Sequence, residues 1–271
     1  MQNIRSLFYT PDEVALDVEK KIIESRQKEE LIDYLTFVPD GEPTIDINLG
    51  NEIELLKASG IKVAVITNSS LMWRDDVQSE LAGADWVSFK VDTVNQDIWH
   101  EVNRPHGDLS LVKILQGIDE FAQRFDGELV TETMLIKGLN DGADEIAKVS
   151  DFIASIKPSK SYIAIPTRPP AEKHVASPAE KVVNRAYQVF TEKSIPTEHL
   201  IGYEGNTFAF TGNVENDLLS ITSVHPMRED AVVEFLSKAN ADWEVIKGLK
   251  RKKKLVEVKH NGRKFYLRKF K

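Results

Sequence analysis

An α/β fold with a parallel sheet is the class this sequence predicts, and three observations predict it. Apolar, β-branched runs of strand length alternate with segments of helical periodicity every roughly 25 to 40 residues, the pattern of repeated βα units. The helices are short and the candidate strands number six, which suits a partial barrel better than an open nucleotide-binding sheet. No G-x-G-x-x-G or G-x-x-x-x-G-K-[ST] stretch occurs, so neither phosphate loop is supported. What recurs instead is polar residues where strands end.

Thr10-Pro11-Asp12-Glu13 opens the first helix as a capping box, with Thr10 at N-cap, Pro11 at N1 and Glu13 at N3. Val14, Val18 and Ile22 follow at four-residue spacing, so the helix runs to about Lys28. Leu35 to Val38 is a short apolar run bounded by Pro and Gly, read as a strand buried on both faces. It stops in Asp40-Gly41-Glu42-Pro43-Thr44, at the strand end where barrel and open α/β folds place chemistry. A second helix passes through Ile53 and Leu56 to a C-cap at Gly60. Ile61 to Thr67 is the next strand and ends in Asn68-Ser69-Ser70, and a short helix near Asp75 to Leu81 leads to a strand from Trp86 to Val91 that ends at Asp92-Thr93.

Ser110 to Phe125 is amphipathic, with Leu111, Ile114, Leu115, Ile118, Phe121, Ala122 and Phe125 on one face, and packs on the sheet. Leu129 to Ile136 is a strand ending in Lys137-Gly138-Leu139-Asn140-Asp141-Gly142. After a helix through Ile146, Val149 and Ile153, the strand Tyr162 to Ile165 opens into Pro166-Thr167-Arg168-Pro169-Pro170, too proline-rich for helix. A helix from Pro178 to Glu192 and a short strand near Glu198 to Ile201 complete the alternation.

At 271 residues, 41% hydrophobic and 29% charged, the chain can bury a sizeable core in an ordinary soluble balance. No apolar stretch reaches membrane-spanning length and MQNIRSLFYT has no signal-peptide pattern, so no membrane is expected and the compartment expected is cytoplasmic. There is no cysteine, which excludes disulfides, thiolate metal sites and cysteine nucleophiles for this polypeptide. Of 35 basic and 43 acidic residues, twelve basic and one acid, Glu257, fall in 247–271, a balance of +11. Residues 1–246 keep 23 and 42, a balance of −19, so the tail is a separate electrostatic object.

In that tail Arg228 to Ala239 reads as helix, Asp242 as the N-cap of a second helix through Trp243, Val245, Ile246 and Leu249, and Asn261-Gly262 as a type I′ turn between Leu255 to His260 and Arg263 to Phe270. Helix, helix and hairpin make a winged-helix-like module over 214–271, beside a barrel over 1–213. Lys250-Arg251-Lys252-Lys253-Lys254 before the wing, with Phe265 and Tyr266 in it, suggests RNA or DNA contact. The alternative is a basic face that docks on the acidic barrel or stays solvated.

Several residues carry weaker signals. The six histidines show no His-x-His or H-E-x-x-H spacing, so no zinc site is expected, and His225-Pro226 reads as an inter-domain turn. Arg104 and Arg168 fall in strand-end loops, suited to anion or substrate recognition or else to surface ion pairs. Glu132 in a buried strand needs a partner, as a pocket-facing group or half of an ion pair. Asp85 and Asp108 read as turn or capping acids, and Trp73 and Trp99 as packing residues.

The ordered stretches Asp40-Gly41-Glu42-Pro43-Thr44, Ile66-Thr67-Asn68-Ser69-Ser70-Leu71, Val102-Asn103-Arg104-Pro105-His106, Leu135-Ile136-Lys137-Gly138-Leu139-Asn140-Asp141 and Pro166-Thr167-Arg168-Pro169-Pro170-Ala171-Glu172 resemble the radical S-adenosylmethionine superfamily over essentially the whole chain. Within it, the likeness is to archaeal and bacterial iron–sulfur oxidoreductases related to the tRNA wybutosine-forming enzymes. The resemblance implies a partial (β/α)6 TIM-like barrel and a [4Fe-4S] cluster on a C-x3-C-x2-C loop. The cluster cleaves S-adenosylmethionine reductively to a 5′-deoxyadenosyl radical, which takes hydrogen from a substrate.

By the same resemblance Gly41, Glu42 and Pro43 meet the cofactor's amino group, chiefly through backbone oxygen. Ser88, Lys90 and Asp92, with Asn68 beside them, reach its ribose or carboxylate. Ile136 and Gly138 belong to the adenine contact, where Met134 and Asp141 depart from the common Gly and Glu. Glu132, Arg104 and Arg168 are left for substrate. The cysteine loop is absent, with any strand to carry it, and Met1-Gln2-Asn3-Ile4-Arg5 resembles the segment just downstream. The expectation is therefore a barrel lacking its first strand, with an exposed sheet edge that a partner chain or rearranged segment covers, no assignable catalytic residue and no activity by itself. Two other classes remain: a non-catalytic RNA- or DNA-binding protein using 247–271, and a conventional barrel lyase built on a buried lysine, Lys90 or Lys137.

Overall fold

A computed structural model describes residues 4–38, 41–170, 172, 174–200, 208, 210, 212–224, 226–260 and 262–269, Val224 by its backbone alone. Met1 to Asn3, Asp40, Ala171, Ile201, His225, Asn261 and Phe270 lie outside the described residues. The chain forms two units, Met1–Ile165 with Ser177–Leu200, and Pro166–Ala176 with Ile201–Lys271.

The first unit is a six-stranded parallel sheet in sequential order, β1 (Tyr34–Phe37), β2 (Lys62–Thr67), β3 (Trp86–Lys90), β4 (Glu128–Met134), β5 (Lys160–Ala164) and β6 (Thr197–Leu200). The helices are α1 (Pro11–Gln27), α2 (Leu49–Lys57), α3 (Asp75–Leu81), α4 (Gln96–Asn103), α5 (Leu111–Ala122), α6 (Ala143–Ile156) and α7 (Glu180–Glu192). This is the α/β, partial-barrel class that the alternation predicts. The capping box forms as read: Thr10 Oγ1 accepts from Glu13 N, and the Glu13 carboxylate from Thr10 N at 3.1 Å.

Side-chain alternation divides the sheet into two faces. Val63, Val65, Val87, Phe89, Leu129 and Ile163 are buried in one core with the helices, where Phe89 meets Phe121 edge-on at 5.4 Å. On the opposite face Lys90, Glu132, Tyr162 and Glu198 stand side by side in register on β3 to β6. None of those four is buried, so the polar row stays in reach of solvent.

One helix, α4, went unread in the sequence. Asn95 caps it, its Oδ1 accepting from Asp97 N at 2.9 Å and Ile98 N at 3.3 Å. Gly117 of α5 is required by packing, because a Cβ there would lie 2.0 Å from the Met72 carbonyl oxygen. That close approach brings α5 against the loop after β2.

The reading of β1 as a strand buried on both faces is corrected. It is the sheet's edge, paired only with β2 among the described strands, and none of its four residues is buried. Beside it lies an apolar groove of about 620 Å³, lined by Val14 and Val18 of α1, Leu35 and Phe37 of β1, and Leu49 and Leu56 of α2. Glu52 also lines it, 4% exposed, with a buried Oε1 that has no hydrogen-bond partner. Trp73, read as packing, is 43% exposed in the turn before α3, with the Arg74 guanidinium over its ring; Trp99 is buried as read.

In the second unit α8 (Val214–Val224), β7 (Met227–Arg228), α9 (Glu229–Lys238), α10 (Glu244–Arg251), β8 (Leu255–His260) and β9 (Arg263–Arg268) enclose their own core, with Leu218, Met227, Phe235, Ile246, Leu249 and Tyr266 buried. The strands run antiparallel in the order β7-β9-β8. Trp243, not Asp242, is the N-cap of α10, although the Asp242 carboxylate accepts from Glu244 N at 2.8 Å. No described helix is long and apolar enough to cross a membrane.

Burial, reinforced by Asp46, pushes the Glu52 carboxyl up to about 7 from its ordinary 4.5. The folded state therefore holds that proton where the unfolded chain has released it, and stability falls as pH rises from about 4.5 to about 7. Replacing Glu52 by Gln is expected to raise the thermal midpoint by about 3 °C at pH 8 and to leave it unchanged at pH 4. Circular dichroism melts at the two pH values check this.

Candidate functional site

The carboxyl ends of β1, β2 and β3 bring their loops together around one cleft. Glu42, in the loop after β1, turns its carboxylate inward and is buried. Its Oε1 accepts from Thr44 N at 3.1 Å, Thr44 Oγ1 at 2.7 Å and Thr67 Oγ1 at 2.5 Å, and its Oε2 from Asn68 N at 2.6 Å. The carboxylate thus joins the end of β1 to the end of β2. Burial pushes the carboxyl up, against the pull of these hydrogen bonds. Pro43 starts the 3₁₀ turn Pro43–Ile45 and faces the groove beside β1 rather than the cleft.

Gly41, Glu42, Asn68, Lys90 and Asp92 line this cleft of about 550 Å³. A smaller pocket of about 240 Å³ shares Gly41, Asn68 and Lys90 with it and adds Ser88 and Glu132. Seven of the residues read from the sequence are therefore brought together. Lys90 Nζ lies 3.3 Å from Asp92 Oδ1 and 3.2 Å from Glu132 Oε1. Burial pulls the ammonium down, but the two carboxylates outweigh it and hold Lys90 above its ordinary value. A lysine held protonated is a poor amine nucleophile, which weighs against the lyase alternative, and Lys137 is exposed in its loop. Glu132 is thus both pocket-facing and half of an ion pair.

Asp92 is fixed on every side. Oδ1 accepts from Met134 N at 2.9 Å, Oδ2 from Asn103 Nδ2 at 2.8 Å, and its backbone oxygen from Asn140 Nδ2 at 2.8 Å. Asn103 gives its amino group to Asp92 and keeps a buried Oδ1 without a partner. Around the polar end, Trp99 and Val102 of α4 with Leu111, Ile114 and Leu115 of α5 make an apolar wall.

Other readings fall elsewhere. Ile136 is buried, its N–H held by Asn140 Oδ1 at 2.7 Å, and Gly138 sits in an exposed turn at φ 77°, so neither lines the cleft. Arg104 is exposed at the left-handed end of α4, outside the lining, and Arg168 belongs to the second unit. Sequence reasoning missed Asn103 and Asn140 as positioning groups and Tyr162 as the neighbour of Glu132. For Tyr162 a signal existed: counting by twos from each strand's end places it in the row of Lys90 and Glu132. Among the described residues no group of three His, Asp or Glu side chains is set to hold a metal.

The Radical SAM superfamily model matches residues 3–153. A UPF0026 protein of Methanocaldococcus jannaschii is 44% identical over 269 residues, 98% of this chain and 83% of that protein. Among solved structures, a radical SAM methyltransferase from Sphaerobacter thermophilus superposes with a TM-score of 0.56 at 15% identity, over 73% of this chain and 59% of its own. Streptococcus suis SuiB bound to S-adenosylmethionine superposes with a TM-score of 0.55 at 13% identity, over 74% and 45%. The chain spans about half the length of these two solved chains.

Glu42→Ala strands the buried donors of Thr44 and Thr67 and the part-buried Asn68 N–H, and is expected to cost about 3 kcal/mol, a fall of about 10 °C in thermal midpoint. Glu42→Gln keeps the shape and an acceptor and should lose less than half of that. Thermal denaturation of both variants checks the order; equal midpoints for Glu42→Ala and the parent chain would refute the role.

Proposed function

The chain belongs to the Radical SAM superfamily, and from that membership we propose that the cleft at the ends of β1 to β3 binds S-adenosylmethionine. The observation that carries the reading is the grouping of Lys90, Asp92, Glu132 and the unpartnered Asn103 oxygen. Two carboxylates and one ammonium leave the cluster one negative charge, complementary to a ligand with two cationic groups and one carboxylate. A ligand N–H or O–H satisfies the buried Asn103 oxygen, which otherwise goes without a donor. The volume falls in the range of roughly 300–1,000 Å³ typical of small-molecule sites.

In this reading Lys90 meets the ligand carboxylate and the Gly41 backbone its amino group, while Asn68 and Ser88 serve the ribose. Asn103 and Asn140 hold Asp92 in place. Glu132 faces the adjoining smaller pocket and is available to substrate, and the apolar wall of α4 and α5 keeps water from the reacting end. S-adenosylmethionine supplies this superfamily with its hydrogen-abstracting fragment.

An iron–sulfur cluster, which the superfamily also implies, does not fit the residues present, since the chain contains no cysteine. No step through it is assigned to them, and these 271 residues by themselves are read as inactive. A cluster would need thiolates that these residues do not supply, and the edge of β1, paired only with β2 among the described strands, is suited with its apolar groove to receive a further strand.

Calorimetric titration of the chain with S-adenosylmethionine tests the reading without any turnover. One saturable site is expected, weakened about tenfold, or 1.4 kcal/mol, by Lys90→Ala. S-adenosylhomocysteine, which lacks the sulfonium charge, should bind several-fold more weakly. No heat up to millimolar ligand, or unchanged binding by the variant, would contradict it.

A further inference from the structure

The basic tail resolves into paired and unpaired cations. Lys247 pairs with Glu244, Lys250 with Glu257, Lys252 with Glu215 and Lys264 with Glu229, at 2.6 to 3.0 Å. Lys253, Lys254, Lys259, Arg263 and Lys269 are exposed and pair with no carboxylate among the described residues. These five lie on the turn after α10, at the tip of the β8–β9 hairpin and at its open end. The Lys254 carbonyl accepts from Lys269 N at 2.9 Å, which draws two of them together.

The hairpin also sets two lysines against each other. Lys259 lies opposite Lys264, and while Lys264 is paired with Glu229, Lys259 has no carboxylate among the described residues. Like charges directly opposite destabilise a hairpin, and an anion placed over Lys259 offsets that cost. The hairpin's six-residue strands extend the track over roughly 17 Å, the rise of about five phosphates along one strand of a duplex.

We propose that the second unit docks on the phosphate backbone of a nucleic-acid duplex through the turn after α10 and the β8–β9 hairpin. The remaining chemistry of the surface selects this partner. Single-stranded nucleic acid calls for exposed rings on which bases stack, but Phe265 and Tyr266 are 2% exposed. They were expected at the contact; they lie in the unit's core instead, where Trp243 packs edge-on against Tyr266 at 5.7 Å. An anionic membrane calls for large apolar side chains beside the cations, and among the described residues of the hairpin only Val258 is large, apolar and exposed, at 36%. Deep insertion of α10 into a groove is opposed by Glu244, which shares one helix face with Lys247 and Arg251. Four of the five cations are lysines, which act on phosphate as point charges, and α10 carries no amide or hydroxyl, so the contact proposed is with the backbone rather than with a base sequence.

The test is fluorescence anisotropy of a labelled 20-base-pair RNA duplex, its DNA counterpart and the RNA single strand, with the 271-residue chain between 50 and 200 mM salt. With about four cations engaged, the logarithm of affinity should fall against the logarithm of salt with a slope of about −3 to −4. Lys253→Gln, Lys254→Gln, Lys259→Gln and Arg263→Gln together should bring the slope close to −1 and weaken binding at 100 mM salt by tenfold or more, on the order expected for lost phosphate contacts. All four side chains are exposed, so the variant should keep the parent's circular dichroism spectrum. As a control, Lys20→Gln with Lys21→Gln on α1 removes two cations from the first unit and should leave both quantities unchanged. RNA and DNA duplexes binding within a few-fold of each other support backbone recognition. Tighter binding of the single strand, an unchanged slope in the fourfold variant, an equal loss in the control, or preference for phosphatidylserine vesicles over the duplex would each overturn the proposal.

Discussion

One buried carboxylate sets the geometry on which the site depends. Glu42 accepts four hydrogen bonds from Thr44, Thr67 and Asn68, and so ties the loop after β1 to the loop after β2. A buried acid is tolerable only when its acceptors are filled, and here every donor comes from the loop after β1, the last residue of β2 or the loop that follows it. Gly41 and Asn68, the flanking residues, consequently line both pockets. Arg5 does similar work on the far side, donating to the Thr44 and Asp46 carbonyls and pairing with Asp76 and Glu80. The loop after β1 is thus held from two directions.

The sheet and its helices were legible because each depends on local periodicity: the β-branched run of β2, the amphipathic face of α5 and the capping box of α1 report their own structure. What failed was information that topology supplies. Leu35 to Val38 reads as a doubly buried strand, but burial depends on neighbours, and β1 is an edge among the described strands. The cleft was partly legible through the polar residues closing β3. The roles of Asn103 and Asn140 were not, because their hydrogen bonds to Asp92 span 11 and 48 positions along the chain. Helix α4 was hidden by its short length and by the motif residues at its end.

Electrostatics separates the two units as clearly as packing does. The first carries the ion pairs of Lys90 with the buried Asp92 and the half-buried Glu132, a charge set complementary to the small cationic ligand proposed for the cleft. The second concentrates exposed lysines and arginines that internal acids satisfy only in part, a surface matched to an extended polyanion. The two proposed binding functions therefore draw on different residues. The absence of cysteine bears only on the first of these, because it withholds cluster ligands while leaving the ligand-facing side chains of the cleft in place.

The central claim is the position of the S-adenosylmethionine site, and a crystal structure of the chain grown with that ligand tests it most directly. The account predicts density in the cleft between β3, α4 and α5, with Lys90 and the Asn103 oxygen within hydrogen-bond distance of the ligand. Density in the groove beside Glu52, or on the second unit with the cleft empty, would contradict it.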